Sequence, residues 1–197
     1  GHSMGSFVTR KYICDYGYEL DGVIIMGTGH QPTPMVLAGK ALADITRLIK
    51  GDRYRSRLIS KIMFGAYNKH IKNVRTSNDW LTRDEAVVDE YNAGKLTTFL
   101  FTVNGYRGLM NMILYVRKPR NIAKIPKNLP MLMVSGLDDP VGEYGKGVYR
   151  AYNTYHGHID DIDLRLFEDC RHELCNELNK EEIYEEIYGW IMDHMNK

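Results

Sequence analysis

Three side chains that cooperate in acyl transfer occur in this 197-residue chain in the order serine, aspartate, histidine. The serine is Ser3, inside the pentad Gly1-His2-Ser3-Met4-Gly5. A G-x-S-x-G pentad suits a sharp strand-to-helix turn that lifts a serine hydroxyl clear of a sheet. Behind it Met4, Phe7, Val8 and Tyr12 recur at helical spacing until Tyr16-Gly17-Tyr18 breaks the run, which supplies the helix such a turn requires. A Gly/Ser/His/Met stretch at an N-terminus also has the composition of a cloning remnant. The pentad alone is therefore a modest signal, and it needs partners.

Those partners are found after two strand-like runs. Leu129-Pro130-Met131-Leu132-Met133-Val134-Ser135 predicts a buried strand that ends at Gly136-Leu137-Asp138-Asp139-Pro140-Val141-Gly142. An acid just past the C-terminal end of a parallel strand lies where open α/β sheets place their chemistry. Ile162-Asp163-Leu164-Arg165-Leu166-Phe167 predicts the next strand, and the loop after it carries Arg171-His172-Glu173. A serine hydroxyl is a poor nucleophile until a base removes its proton, so His172 is the expected base toward Ser3 and later the acid toward the leaving group. Asp139 is the expected partner that fixes the imidazole tautomer and stabilises the imidazolium. Asp138 competes for that role; Asp139 is preferred because the turn before Pro140 can aim it. The backbone N–H of Met4 is the expected oxyanion donor, at a helix N-terminus that favours developing negative charge. His30, His70, His156, His158 and His194 read as solvated or locally satisfied, and His2 as a packing residue beside the nucleophile.

The elements that must position these groups form an α/β pattern. Gly22-Val23-Ile24-Ile25-Met26-Gly27 predicts a short buried strand after the first helix. Between Gly29 and Lys127 no strand of similar strength follows, but helices are predicted over 36–49, 58–67, 83–92 and 97–115. So long an insert between consecutive strands is usually a lid or binding cap. The expected organisation is residues 1–29 as elbow, helix and strand, 30–127 as helical cap, and 128–197 as the core segment carrying the acid and the histidine. A crossover helix over 145–155 and a closing amphipathic helix over 180–195 complete it. Met35, Met63, Phe64, Phe99, Phe101, Met110, Met112 and Ile113 are candidates for an acyl groove, although most such residues simply pack helices together. Arg53, Arg55, Arg57, Lys61, Lys69 and Lys72 could attract an anionic head group, but such a run is more often a solvated face.

The chain resembles the monoglyceride lipase and lysophospholipase branch of the α/β-hydrolases. The resemblance is carried by Gly1-His2-Ser3-Met4-Gly5-Ser6, the stretch Arg75-Thr76-Ser77-Asn78-Asp79-Trp80-Leu81-Thr82-Arg83-Asp84, the acid loop Gly136 to Gly142, and Arg171-His172-Glu173 with Asn176-Glu177. It implies the C-terminal part of an α/β-hydrolase fold, about three parallel strands with flanking helices and a helical cap. It also implies single-chain acyl esters such as monoacylglycerols or lysophospholipids as substrates. Enzymes of this kind carry a His-Gly oxyanion segment upstream of the serine, and none stands upstream here. The expectation is that the isolated chain has little hydrolytic activity while its parent is active, since losing one oxyanion donor costs roughly 10²–10³ in rate. An exposed sheet edge would also favour self-association.

Composition limits the partners. A net charge of +1 gives no electrostatic footprint for nucleic acid, and no run is long enough for a membrane span. A cytoplasmic location is expected, with the cap a candidate for transient contact with a membrane surface. Cys14, Cys170 and Cys175 are odd in number and too few for a disulfide framework. Cys170-x-His172-x-x-Cys175 lacks a fourth ligand for zinc, so no metal and no cofactor are expected.

Overall fold

The computed structural model describes residues 1–195. Three parallel strands, β1 (Val23–Met26), β2 (Met131–Gly136) and β3 (Ile162–Phe167), lie in the order β1-β2-β3. Val23 pairs with Met131 and Met131 with Ile162, so the strands start level; β1 ends at Met26 opposite Val134, and β2 and β3 run two residues further toward the same rim. Gly1–Ser3 extends the sheet beyond β1: His2 bridges Met26 in parallel, Met26 N donates to Gly1 O (2.9 Å) and Ser3 N to Met26 O (3.0 Å).

Strand pleating sends alternate residues to opposite faces. Val23, Ile25, Met131 and Met133 pack against Ile13 and Cys14 of α1 (Met4–Tyr16) and Ala151 and Tyr155 of α7 (Lys146–His156). Leu132 and Val134 face the other way, onto Leu174 and onto Ile183 and Trp190 of α8 (Lys180–Met195). β2 is buried along its whole length, which is why its sequence is continuously apolar rather than alternating.

Five helices separate β1 from β2: α2 (Thr33–Lys50), α3 (Arg57–Phe64), α4 (Glu85–Ala93), α5 (Val103–Tyr115) and the short α6 (Pro119–Ile122). No strand interrupts them among the described residues. α2 and α5 share a core of Val36, Leu109, Met110, Ile113 and Val116, which also takes Phe7 from α1. A second cluster joins Ala43, Ile59, Val103 and Tyr106.

Helix starts follow side-chain caps more closely than apolar spacing does. α4 begins at Glu85 because the Asp84 carboxylate accepts from Ala86 N (3.0 Å). α5 begins at Val103 rather than at the expected residue 97. Thr97 and Thr98 hydroxyls bond back to the Gly94 carbonyl (3.0 Å each), and Thr102 caps Gly105 N (3.1 Å). No helix among the described residues is long and apolar enough to cross a membrane.

Candidate active site

Ser3 occupies the junction between the Gly1–Ser3 strand and α1, with φ 53° and ψ −123°. A non-glycine residue rarely adopts such a conformation, and it persists only where its surroundings enforce it. Here they do. Ser3 N is held by Met26 O, and Ser3 O accepts from Ser6 N (2.9 Å) and Ser6 Oγ (2.5 Å). Behind this turn the buried Arg10 donates to Thr28 Oγ1, Gly29 O and the Tyr155 hydroxyl (3.0 Å each). Met4 N–H follows at the first turn of the helix, where amides lack intrahelical acceptors.

On the adjoining rim His172 Nδ1 lies 2.9 Å from Asp139 Oδ2, with both side chains essentially inaccessible (1% and 0%). Asp139 is aimed by its own turn, its Oδ1 accepting from Val141 N (2.8 Å). Asp138 is exposed, and its backbone N–H donates to Cys170 O (2.9 Å). That bond ties the acid loop to the histidine loop at a close approach that only a glycine permits. A Cβ on Gly136 would overlap the carbonyls of Cys170 and Arg171.

Because the Asp139 carboxylate can only accept, Nδ1 carries a proton, and in the neutral imidazole Nε2 is then the nitrogen with the lone pair. Nε2 is buried and has no hydrogen-bond partner among the described residues. Ser3 is therefore not hydrogen-bonded to it, and the geometry brings Asp139 and His172 into direct contact while Ser3 stands at the end of the segment paired with β1. The two sides are joined through His2. Its ring lies 4.6 Å from that of His172, and its Nε2 donates to His172 O (3.0 Å). Burial, then the neighbouring His172, pushes the His2 imidazole below its ordinary pKa. Gly27 (φ +57°) completes the floor: a Cβ there would stand 3.0 Å from His172 Cε1 and 3.2 Å from His2 Cδ2.

The roof over His172 comes from the cap. Trp80 lies 5.0 Å ring to ring from His172, and Tyr67 packs edge-on against Trp80 at 4.8 Å. Burial, reinforced by the Asp139 charge, raises the pKa of the Tyr67 phenol. Sequence reasoning attached no role to Trp80 or Tyr67. The 75–84 stretch stood out as a segment, but nothing in its periodicity says that it descends onto the histidine loop. Of the proposed groove residues, Met110 and Ile113 are spent on helix packing, whereas Met35 and Phe99 are exposed. The six basic residues of the 53–72 region all face solvent.

Among the described residues one set could hold a cation, Asp161, Asp163 and His194. It lies at the opposite end of the strands from His172, and its groups are engaged, His194 Nε2 with Asp161 (3.2 Å) and Asp163 with Trp190 Nε1 (3.0 Å).

A partial parallel sheet with an elbow serine at the end of its edge segment, an acid after β2 and a histidine after β3, is an α/β-hydrolase fold. Within it the chain belongs to the serine aminopeptidase, S33 (Hydrolase_4) family, whose model matches residues 1–179. No curated protein sequence matches the chain. Among solved structures it is similar to a carboxyl esterase from Bacillus coagulans, at 24% identity and a TM-score of 0.86, over 100% of this chain and 63% of that one. It is similar too to a monoglyceride lipase from Saccharomyces cerevisiae (19%, TM-score 0.73, 98% and 60%) and a monoacylglycerol lipase from Paleococcus ferrophilus (16%, 0.68, 98% and 67%). At these identities the likeness is one of fold. The chain thus spans somewhat under two thirds of the length of the esterase.

Proposed function

We propose that this chain carries the catalytic triad of a serine hydrolase of carboxylic esters, with Ser3 as nucleophile, His172 as base and Asp139 as its partner. The observation that carries the proposal is the buried imidazole held by a carboxylate at Nδ1, its Nε2 without a hydrogen-bond partner among the described residues, together with a serine on a strained strand-to-helix turn. In this mechanism Nε2 takes the Ser3 proton as Oγ attacks the ester carbonyl. It then returns the proton to the departing alcohol, leaving an acyl-serine that water hydrolyses. Met4 N–H donates to the oxyanion. Family membership and the fold shared with esterases and lipases support ester hydrolysis. Monoacylglycerol- or lysophospholipid-type substrates are the proposed class, with the cap toward the acyl chain.

A fluorophosphonate probe followed by peptide mapping tests the assignment. Labelling confined to Ser3, and lost in Ser3→Ala and His172→Ala, is the expected result; labelling elsewhere removes the basis for the triad.

One observation favours a second state for the 197-residue chain. Among the described residues only Gly1–Ser3 pairs beyond β1, and α1, which follows it, exposes Met4, Val8, Tyr12 and Tyr16 at four-residue spacing. An inert chain that self-associates along this edge would show no labelling and a mass that rises with concentration.

A further inference from the structure

The loop that carries His172 is fastened to the cap as firmly as to the sheet. On its two flanks, Arg171 Nη1 donates to Asp79 O (2.7 Å) and Thr82 O (2.9 Å), and Glu173 N to Leu81 O (2.7 Å). Thr82 Oγ1 donates to Asn176 O (2.9 Å). The stretch is itself rigid, since the Asp79 carboxylate accepts from the backbone N–H groups of Arg75 and Thr76, and Asn68 Oδ1 accepts from Trp80 N (2.9 Å). At the centre is Glu177, a carboxylate with no solvent exposure. Its Oε1 accepts from Arg171 N (2.7 Å), the residue before the histidine, and its Oε2 from Arg83 Nε (2.9 Å), the residue that closes the cap stretch. Arg83 N and Leu178 N add longer bonds of 3.3 Å.

We propose that Glu177 is a positioning residue: its carboxylate clamps the cap stretch 79–83 to the loop 171–173, and so sets where Trp80 and His172 stand relative to Ser3. The proposal rests on the triad assignment above. A buried charge is costly unless fully paired, and a hydrophobic seal would hold the cap without it. A carboxylate with four donors around it fixes something else, namely the register of two segments on which the reacting imidazole depends.

Among the described residues the groups bonded to the Glu177 carboxylate are all donors, so an amide cannot replace the acid. In Glu177→Gln the NH2 must face either Arg171 N or the Arg83 and Leu178 donors, and one side of the clamp opens. The side chain keeps its volume, which separates this loss from a cavity. A displacement near 1 Å at a reacting group costs about 10²-fold in rate.

The test measures two things on the intact chain: the fluorophosphonate labelling rate at Ser3, and the low-field proton resonance of His172 Nδ1–H, identified by its loss in Asp139→Asn. The expected result for Glu177→Gln is labelling slowed about 10²-fold with the low-field resonance broadened or lost. Arg83→Gln, which opens the clamp from the cap side, should reproduce the effect and serves if Glu177→Gln does not fold. A variant that melts lower, yet keeps the resonance and labels within about twofold of the wild type, would show the pair to be merely structural. If the wild type labels elsewhere than Ser3 the triad assignment fails separately, and if it does not label at all the inert state accounts for that; in both cases the resonance still decides whether Glu177 positions His172.

Discussion

The rim that holds Asp139 and His172 and the outer faces of α2 and α3 are built in opposite ways. At the rim both side chains are sealed and every neighbour is specified by a hydrogen bond, a ring contact or a glycine with no room for a Cβ. On the cap, Leu48, Ile49 and Ile45 of α2 and Leu58 and Ile62 of α3 stand 55–77% exposed. Those helices are held by packing onto α5. Groups that move protons need fixed geometry, whereas a surface that meets flexible acyl chains needs apolar area without fixed partners. The first region should fail sharply when touched, and the second only in what it binds.

The largest effect is expected at Asp139→Asn. An amide can hold the imidazole in the wrong tautomer, so the Ser3 labelling rate should fall by about 10³–10⁴ with little change in melting temperature. A loss below about tenfold would mean that the pair does not serve Ser3. Next comes Gly27→Ala. The residue sits at φ +57°, and its new methyl would crowd His172 and His2 at 3.0–3.2 Å. Strain of about 1–3 kcal/mol and a displaced imidazole should lower both thermal stability and labelling, the latter about 10²-fold. The same replacement at exposed Gly157, with nothing near its Cβ, should cost neither.

How far each region was legible follows from the same contrast. β1 and β2 could be read because short apolar runs bounded by Gly or Pro have few other interpretations, and β3 from the partial alternation of Ile162, Leu164 and Leu166 with Asp163 and Arg165. Their C-terminal ends located Asp139 and His172 on one rim, and the turn before Pro140 distinguished the buried Asp139 from its exposed neighbour. Helix beginnings were less legible, because Thr97 and Thr98 look helical until their hydroxyls are seen to bond back to Gly94. Glu177, Arg83 and Trp80 had no readable role at all. Their partners lie about ninety residues away in sequence, and a charged or aromatic residue announces burial only once the segment opposite is known.

A smaller and pH-dependent effect is expected where the two regions meet. His30 follows β1 at the foot of α2, and its pKa is pushed down from 6.5 to about 4 by burial and then by Arg117, Arg10 and Arg150. The folded chain thus binds fewer protons than the unfolded chain between those values, so stability is complete above about pH 6.5 and declines as pH falls toward 4. Solvent screening of a partly exposed ring reduces the effect to an estimated 1–2 kcal/mol, roughly half or less of the full 1.4 kcal/mol per unit. His30→Gln should flatten that part of the melting-temperature profile between pH 7 and 5. An unchanged slope would place the acid sensitivity at other groups, His2 first, since its pKa is also lowered.

The smallest effect on stability, and the one most specific to the cap, is expected from Leu48→Ser with Ile49→Ser. Both side chains are at least 70% exposed, so their removal forfeits little buried area and should change stability by no more than about 0.5 kcal/mol. If this face meets lipid-like substrate or a membrane surface, the double variant should hydrolyse a soluble short-chain ester at the wild-type rate. It should also lose several-fold on a long-chain ester presented in micelles or vesicles. The short-chain rate is the control that matters, because the His172 rim has no contact with these positions and should not register the change. Equal losses on both substrates would mean that the cap transmits its surface to the rim, erasing the division between the two regions. No loss on either would leave these leucine and isoleucine side chains without a part in substrate capture.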